Sequence, residues 1–227
     1  TFDKQKQFVY DVSHELKNPL TKIKSQLEVS SFKERSPAEY QNTIQSVLED
    51  IRELSQLSNT LLELAKVSGD KGDLLTEVIR IDELLWDCRS AMIQTNAKYT
   101  VQFDLHDLPE DDKWLEIHGN STLLKTAFMN LIDNACKFSE NHTVKIKLNT
   151  TETKLALEFS DQGKGIPAPD QDLVFQPFFR SENTANVKGY GIGLSLVDRI
   201  VRLHEGNIQI RSNQPKGTVF HLEFLHQ

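Results

Sequence analysis

The first residue with a potentially reactive side chain is His14, which lies in the segment Ser13–Leu20. A neutral imidazole carries a lone pair on one ring nitrogen and is therefore a nucleophile near pH 7. The carboxylate of Glu15 can take or orient the proton on the other nitrogen, and Asn18 lies one helical turn further along. Pro19 removes a backbone hydrogen bond just after this group. Taken alone, the segment is more typical of an ordinary exposed histidine beside an incidental kink.

A second group of polar residues lies on a predicted helix near the middle of the chain. Asn130, Asn134 and Lys137 are spaced four and three apart, which places them on one helix face. Two amides and an ammonium suit a metal–phosphate group, because an amide oxygen binds a hard cation and a lysine binds phosphate. A solvated polar face is an equally good interpretation of this segment alone.

Two glycine-containing segments follow. Asp161 comes directly after a predicted strand, and its carboxylate can accept a hydrogen bond from an adenine amino group while nearby glycines let the backbone approach a ligand. In isolation this segment is better explained as a plain turn. The segment Lys188–Leu194 opens a helix and can present backbone N–H groups to phosphate. Its G-x-G-x-G pattern matches neither the dinucleotide fingerprint nor the P-loop.

An aromatic cluster, Val174–Phe179, lies between these two segments and precedes Arg180. The cluster would anchor a segment whose polar remainder is mobile, and Arg180 could bind phosphate through two hydrogen bonds. The alternative is a small hydrophobic cluster beneath a surface loop.

The elements that position the first group are two predicted helices within residues 1–67. Two helical stripes of apolar residues break between Ser31 and Pro37, and Ser36 with Glu39 three residues later is a strong signal for a helix start. Two long helices joined by a short turn predict an antiparallel hairpin. Because a lone hairpin cannot bury both stripes, we expect a dimer that forms a four-helix bundle.

A Gly-rich polar segment predicts a domain boundary. We expect a linker at 68–76 and a second domain at 77–227. The helices predicted there cover 82–96, 121–138 and 193–204, and the strands cover 101–105, 144–148, 155–160, 208–211 and 218–224. Few of these form evenly spaced strand–helix–strand units, so an α+β sandwich is favoured over a doubly wound parallel sheet.

Composition narrows the possible functions. The 227 residues hold 26 Lys+Arg against 33 Asp+Glu, a formal charge of −7, which makes the chain a poor candidate for nonspecific nucleic-acid binding. No stretch approaches the roughly 18 apolar residues of a membrane-spanning helix. Cys88 and Cys136 do not make a disulfide framework, so we expect a reducing compartment. The chain does not begin with Met, and we expect it to be a fragment of a longer protein.

Each motif is modest alone, but their order and spacing together are specific. The sequence resembles the cytoplasmic kinase core of bacterial two-component sensor histidine kinases over essentially the whole chain. The matching segments, in the order of the family's H, N, G1, F and G2 boxes, are Ser13–Leu20, Asn130–Ser139, Asp161–Ile166, Phe175–Arg180 and Gly189–Leu194. Gly217–Phe220 is similar to the family's closing strand.

The resemblance implies a dimerisation and histidine phosphotransfer hairpin, followed by a two-layer α+β ATP-binding domain of the histidine kinase and Hsp90-like type. It implies a protein-histidine kinase that uses ATP and Mg²⁺, phosphorylates His14 and passes the phosphoryl group to an aspartate of a response regulator. Response-regulator phosphatase activity is expected to coexist with this. The implied partners are a second copy and the cognate regulator, with no nucleic acid. Membrane contact is expected only through segments absent from this chain, as for the cytoplasmic portion of an inner-membrane sensor. The alternative is a catalytically silent dimeric scaffold of the same fold, which the intact motifs disfavour.

The same resemblance implies roles for individual residues. His14 is the phosphoacceptor, Glu15 its acid/base partner, and Asn18 helps to orient water for dephosphorylation of the regulator. Asn134 is the Mg²⁺ ligand and also contacts the nucleotide. The other nucleotide-binding positions are Asn130, Lys137, Phe138, Asp161, Gly163, Gly165, Ile166, Phe175, Arg180, Lys188, Gly189, Tyr190, Gly191, Ile192, Gly193, Leu194 and Thr218. The resemblance also implies a contrast with relatives that hydrolyse ATP, which carry a water-activating Glu at the position of Asn130. Because this chain has Asn there, transfer to a protein histidine is favoured over ATP hydrolysis.

The distribution of charge bears on how ATP would bind. Residues 1–67 hold nine basic and ten acidic side chains, so most of the net negative charge falls in the domain assigned to ATP. Because ATP is itself an anion, bulk electrostatics cannot recruit it. We therefore expect binding to depend on Mg²⁺, on Lys137, Lys188 and Arg180, and on oriented backbone amides.

Overall fold

The computed structural model describes residues 2–67, 77–104, 109, 111–184, 187 and 189–226. The chain divides into two compact units, Thr1–Ala65 and Lys66–Gln227. The predicted linker at 68–76 lies outside the described residues. None of the helices in the described part of the chain combines the length and the apolar character that a membrane crossing requires.

Two long helices, α1 (Phe2–Ser31) and α2 (Pro37–Val67), account for the first unit. The start of α2 is fixed by a reciprocal capping box. The Ser36 hydroxyl accepts the N–H of Glu39 at 3.3 Å, and the Glu39 carboxylate accepts the N–H of Ser36 at 2.8 Å. These hydrogen bonds also lower the pKa of Glu39. The helix start predicted from the sequence is confirmed.

Polar contacts between α1 and α2 show that the helices run antiparallel. Lys22 Nζ lies 2.6 Å from a carboxylate oxygen of Asp50, which is buried, and Gln26 Nε2 donates to the other oxygen at 3.2 Å. One turn further along α1 and two turns earlier in α2, the hydroxyls of Ser30 and Thr43 meet at 3.3 Å. The predicted hairpin is therefore confirmed.

Apolar side chains remain exposed on both helices of the single chain. On α1 they include Val9, Leu20 and Leu27, and on α2 they include Ile44, Leu48 and Ile51. Within each helix they recur at helical spacing and so form a stripe. This is the apolar surface that one hairpin cannot bury by itself.

A five-stranded sheet forms the centre of the second unit, with the strand order β2-β4-β5-β7-β6. Its strands are β2 (Thr100–Asp104), β4 (Thr143–Thr150), β5 (Lys154–Ser160), β6 (Asn207–Ser212) and β7 (Thr218–Leu225). Among the strand pairs of this sheet in the described residues, β2–β4 is the parallel one. A separate two-stranded antiparallel sheet joins β1 (Glu77–Arg80) to β3 (Glu116–Gly119).

Three helices pack beside this sheet: α3 (Ile81–Thr95), α4 (Ser121–Phe138) and α5 (Gly193–Leu203). The core lies between the two layers, where Phe128 of α4 packs on Phe159 of β5 with ring centroids 5.8 Å apart. Strand register aligns the buried residues, since Phe159 lies opposite Ile146 on one side and Phe220 on the other. The predicted two-layer α+β architecture is confirmed.

Most predicted elements of the second unit agree with the structure within two residues. The predicted strand at 101–105 ends at Asp104 among the described residues, and position 105 lies outside them. Strands β1 and β3 were not predicted, because each has four residues and neither is long enough to give an alternating pattern. Short 3₁₀ helices were missed for the same reason; they are Asp112–Leu115, Ala168–Asp170, Leu173–Phe175 and Glu182–Thr184.

Candidate functional site

The imidazole of His14 is exposed on α1, with 59% of its side chain accessible. Its Nδ1 lies 3.4 Å from the amide nitrogen of Asn18 and 3.9 Å from a carboxylate oxygen of Glu15. The ring of Tyr10 stacks against it at 6.3 Å. Both polar contacts described for this side chain involve Nδ1, so Nε2 is the nitrogen that remains available to a reactant.

The two neighbours of Nδ1 favour opposite tautomers. If the Asn18 amide donates to Nδ1, the lone pair is on Nδ1 and the proton is on Nε2. If Nδ1 carries the proton, the negative charge of Glu15 at 3.9 Å stabilises that arrangement, and the lone pair is on Nε2. Only the second arrangement makes Nε2 a nucleophile.

Asp161 follows the end of β5 and is buried, with 4% of its surface exposed. Its Oδ1 accepts the backbone N–H of Gly163 at 2.7 Å and that of Thr218 at 3.2 Å. Asn213 holds the backbone carbonyl of the same residue through its side-chain amide at 2.6 Å. Burial raises the pKa of Asp161, and the hydrogen bonds from Gly163 and Thr218 oppose that shift. The carboxylate is therefore held in one orientation, with Oδ1 committed to the backbone.

The loop after Asp161 lies directly against the C-terminal end of α4. Gly163 forms an isolated β-bridge with Ser139, and a Cβ atom at Gly163 would collide with the carbonyl oxygen of Phe138. Only glycine allows this approach. As a result Phe138, which is 37% exposed, stands beside the loop that carries the half-buried Ile166.

The polar face of α4 meets the start of α5. Asn130 donates from Nδ2 to the carbonyl of Thr126 at 2.8 Å, and its Oδ1 would lie 2.7 Å from a Cβ at Gly193. Asn134, one turn further, is half-buried. The amide oxygens of Asn130 and Asn134 are hard oxygen donors of the kind that suits Mg²⁺.

Helix α5 begins at Gly193 with Ile192 as its N-cap, and no side-chain hydrogen bond caps this end. Its first N–H groups therefore offer the positive end of the helix dipole to an anion. The preceding loop is anchored where the carbonyl of Gly191 accepts the N–H of Phe178 at 2.9 Å. The 3₁₀ helix Leu173–Phe175 packs against α5.

Arg180 and Lys188 are two of the basic residues expected to bind the phosphates. Arg180 is exposed, and its Nη2 donates to the carbonyls of Thr184 at 2.8 Å and Val187 at 2.6 Å. Its guanidinium is therefore bonded to backbone carbonyls, and a phosphate contact stays a prediction. Lys188 lies outside the described residues.

The second unit thus brings together most of the residues predicted to bind a nucleotide, whereas His14, Glu15 and Asn18 lie in the first unit. Sequence analysis missed Asp133, whose Oδ2 lies 2.5 Å from Nζ of Lys137, and Asn213. The spacing of Asp133 and Lys137, four residues apart on a helix, was a usable signal. The contact of Asn213 with Asp161 joins distant parts of the chain, which no local pattern reports.

Comparison with known proteins first gives the class of the second unit. Residues 119–227 match the family described as "Histidine kinase-, DNA gyrase B-, and HSP90-like ATPase", which agrees with the sandwich fold and the buried Asp161. Residues 4–69 match the "His Kinase A (phospho-acceptor) domain". The two matches together cover most of the chain, which therefore has the phospho-acceptor and ATPase-type domains of a histidine kinase core.

A curated relative supports this assignment along the whole chain. The signal transduction histidine-protein kinase ArlS of Staphylococcus aureus is 32% identical over 230 residues, which cover 99% of this chain and 49% of ArlS. The chain thus spans about half the length of the curated relatives it matches.

Solved structures share the fold. The Acinetobacter baumannii histidine kinase AdeS has a TM-score of 0.72 at 24% identity, covering 94% of this chain and 98% of that one. Histidine kinase ThkA, solved in complex with the response regulator protein TrrA, has a TM-score of 0.77 at 23% identity, covering 97% of this chain and 61% of that one.

Proposed function

We propose that this chain transfers the γ-phosphoryl group of ATP to His14 and then to an aspartate of a response regulator. The observation that carries the proposal is the position of His14. Its imidazole is exposed, a carboxylate lies 3.9 Å from Nδ1, and both described polar contacts leave Nε2 to a reactant. A structural histidine in a core would have neither the exposure nor the free nitrogen.

The chemical step follows from the two tautomers. With the proton on Nδ1, near the carboxylate of Glu15, Nε2 attacks the γ-phosphorus in line, and the bond from that phosphorus to the β–γ bridging oxygen breaks. ADP leaves with the electron pair of that bond. Glu15 stabilises the cationic ring that forms, because its carboxylate lies beside the Nδ1 proton.

The residues of the second unit bind and orient the nucleotide in this proposal. Asp161 accepts the adenine amino group through the oxygen that the backbone does not occupy. Lys137 and the first N–H groups of α5 face the phosphates. Asn134 would hold Mg²⁺, which when bound neutralises charge on the phosphates. The hard oxygen donors on this face of α4 fit that ion.

The domain assignment and the partners belong to the same proposal. Residues 1–67 form the dimerisation and phosphotransfer domain, 68–76 the linker and 77–227 the ATP-binding domain. A second copy covers the exposed apolar stripes of α1 and α2. The solved complex of ThkA with the response regulator protein TrrA supports a regulator as the phosphoryl acceptor. The chain would form the cytoplasmic portion of a membrane-bound sensor.

The experiment that tests the activity is incubation of the chain with γ-labelled ATP and Mg²⁺. A phosphorylated histidine gives label on the protein that survives alkali and is lost in acid. Label that survives acid would indicate phosphorylation of a hydroxyl group and would contradict the proposal.

A second activity, removal of phosphate from the regulator, is favoured by the amide of Asn18 next to His14. An amide at this place can orient a water molecule for attack on the regulator's phosphoaspartate. Asn18→Ala should slow regulator dephosphorylation and leave autophosphorylation largely intact. Lys17→Ala, at the neighbouring exposed position, is the matched control. Equal dephosphorylation rates for the two variants would argue against this role.

A further inference from the structure

A series of polar contacts connects the residue before β2 to Lys137. Tyr99, just before β2, donates its hydroxyl to Oδ1 of Asp133 at 3.0 Å. The other oxygen of Asp133 lies 2.5 Å from Nζ of Lys137. Tyr99 is itself anchored, since its N–H donates to the carbonyl of Asn96 at 3.0 Å and its ring lies 6.3 Å from that of His142.

The chemistry of Tyr99 and of Asp133 limits each of them to one role in these contacts. Burial and the charge of Asp133 raise the pKa of Tyr99, so its hydroxyl stays protonated and can only donate to the carboxylate. That bond fixes Oδ1 and leaves Oδ2 directed at the ammonium. A lysine side chain has four rotatable bonds, and holding it in place before a ligand arrives removes part of the entropy cost of binding.

We propose that Tyr99 and Asp133 are positioning residues, which hold the ammonium of Lys137 on the face of α4 shared with Asn130 and Asn134, ready for the triphosphate. The inference rests on the proposed function, because it assumes that Lys137 meets the phosphates. It adds two residues to the nucleotide site, neither of which needs to touch the nucleotide.

The test measures the dissociation constants of Mg²⁺-ATP and of adenosine by calorimetry for Tyr99→Phe in the full chain. This variant keeps the ring and every charge and removes only the hydroxyl. We expect the ATP dissociation constant to rise about three- to tenfold, the range for one ordinary hydrogen bond. Adenosine, which has no phosphates, should bind unchanged. Tyr40→Phe on α2 is the matched control and should change neither value.

A double-mutant cycle separates positioning from a general structural effect. Tyr99→Phe should have no effect on ATP affinity in a chain that already carries Lys137→Ala or Asp133→Ala. Additive effects, or equal weakening of ATP and adenosine, would overturn the inference while leaving the proposed function intact. If Lys137→Ala alone left ATP affinity unchanged, the role of Lys137 at the phosphates would fail, and the positioning role would fail with it.

Discussion

The carboxylate of Asp161, a residue with 4% of its surface exposed, accepts the backbone N–H of Gly163 in a 2.7 Å hydrogen bond. Since Oδ1 is taken up by the backbone, the proposed function leaves recognition of the adenine amino group to the second carboxylate oxygen. A single oriented acceptor distinguishes an amino group, which donates a hydrogen bond, from a carbonyl oxygen, which cannot.

Replacement of this carboxylate should therefore alter base selectivity as well as affinity. In Asp161→Asn the amide oxygen can still accept from Gly163, which turns the NH₂ group toward the base. We expect ATP affinity to fall roughly ten- to hundredfold, as for loss of a hydrogen bond to a charged group, and the preference for ATP over GTP to shrink. Calorimetry with both nucleotides measures this, with Asp172→Asn at an exposed site as the control. Unchanged selectivity would mean that Asp161 does not contact the base.

His204 makes the stability of the second unit depend on pH. Its Nε2 accepts the N–H of Asn120, the N-cap of α4, at 3.0 Å, while Nδ1 lies 2.7 Å from the carbonyl of Ile200. The ring can satisfy both contacts only when it is neutral, with its proton on Nδ1. Burial lowers the pKa of His204 below the ordinary value of 6.5. Between the folded and unfolded pKa values, His204 therefore binds a proton in the unfolded chain but not in the folded chain.

The stability from this group is therefore full above about pH 6.5 and is lost as the pH falls toward the lower folded pKa. We expect the urea midpoint of the wild-type chain to fall between about pH 7.5 and pH 5.5. His204→Gln cannot titrate, so the fall should be smaller in that variant, even if its midpoint is lower at every pH. An equal fall in both chains would remove His204 as the cause.

The exposed apolar stripe of α2 predicts the effect of charge on assembly. Ile44→Glu and Leu48→Glu each place a carboxylate on that stripe. Because burial of such a side chain stabilises by about 1.5–3 kcal/mol, the dimer should dissociate toward the single-chain mass of 25.9 kDa. Light scattering measures the mass, and Gln45→Glu, an exposed neighbour with the same new charge, should remain dimeric. Dimeric Ile44→Glu and Leu48→Glu variants would place the interface elsewhere.

Local sequence patterns were sufficient to predict helix bounds that depend on residues close together in the chain. The predicted helix at 121–138 agrees with α4, whose first turn is capped locally, since the side chain of Asn120 accepts the N–H of Leu123 at 3.0 Å. The capping box of Ser36 and Glu39 predicts the start of α2 in the same way. Such signals depend on residues a few positions apart, which the sequence reports directly.

Contacts made by the tertiary fold could not be predicted. Tyr99 and Asp133 are 34 positions apart, and their bond exists only because the tertiary fold brings the residue before β2 next to α4. Arg180 has the charge and shape of a phosphate ligand, yet its described partners are the carbonyls of Thr184 and Val187. Residue type alone could not predict this, because a guanidinium binds carbonyl and phosphate oxygens alike.

The central claim is that His14 is the residue that receives the phosphoryl group. The direct measurement is incorporation of acid-labile label from γ-labelled ATP into His14→Gln, with His118→Gln on β3 as the control for loss of an exposed histidine. We expect no label above background in His14→Gln, unchanged ATP affinity in the same variant, and wild-type labelling in His118→Gln. Persistent acid-labile label in His14→Gln would contradict the central claim.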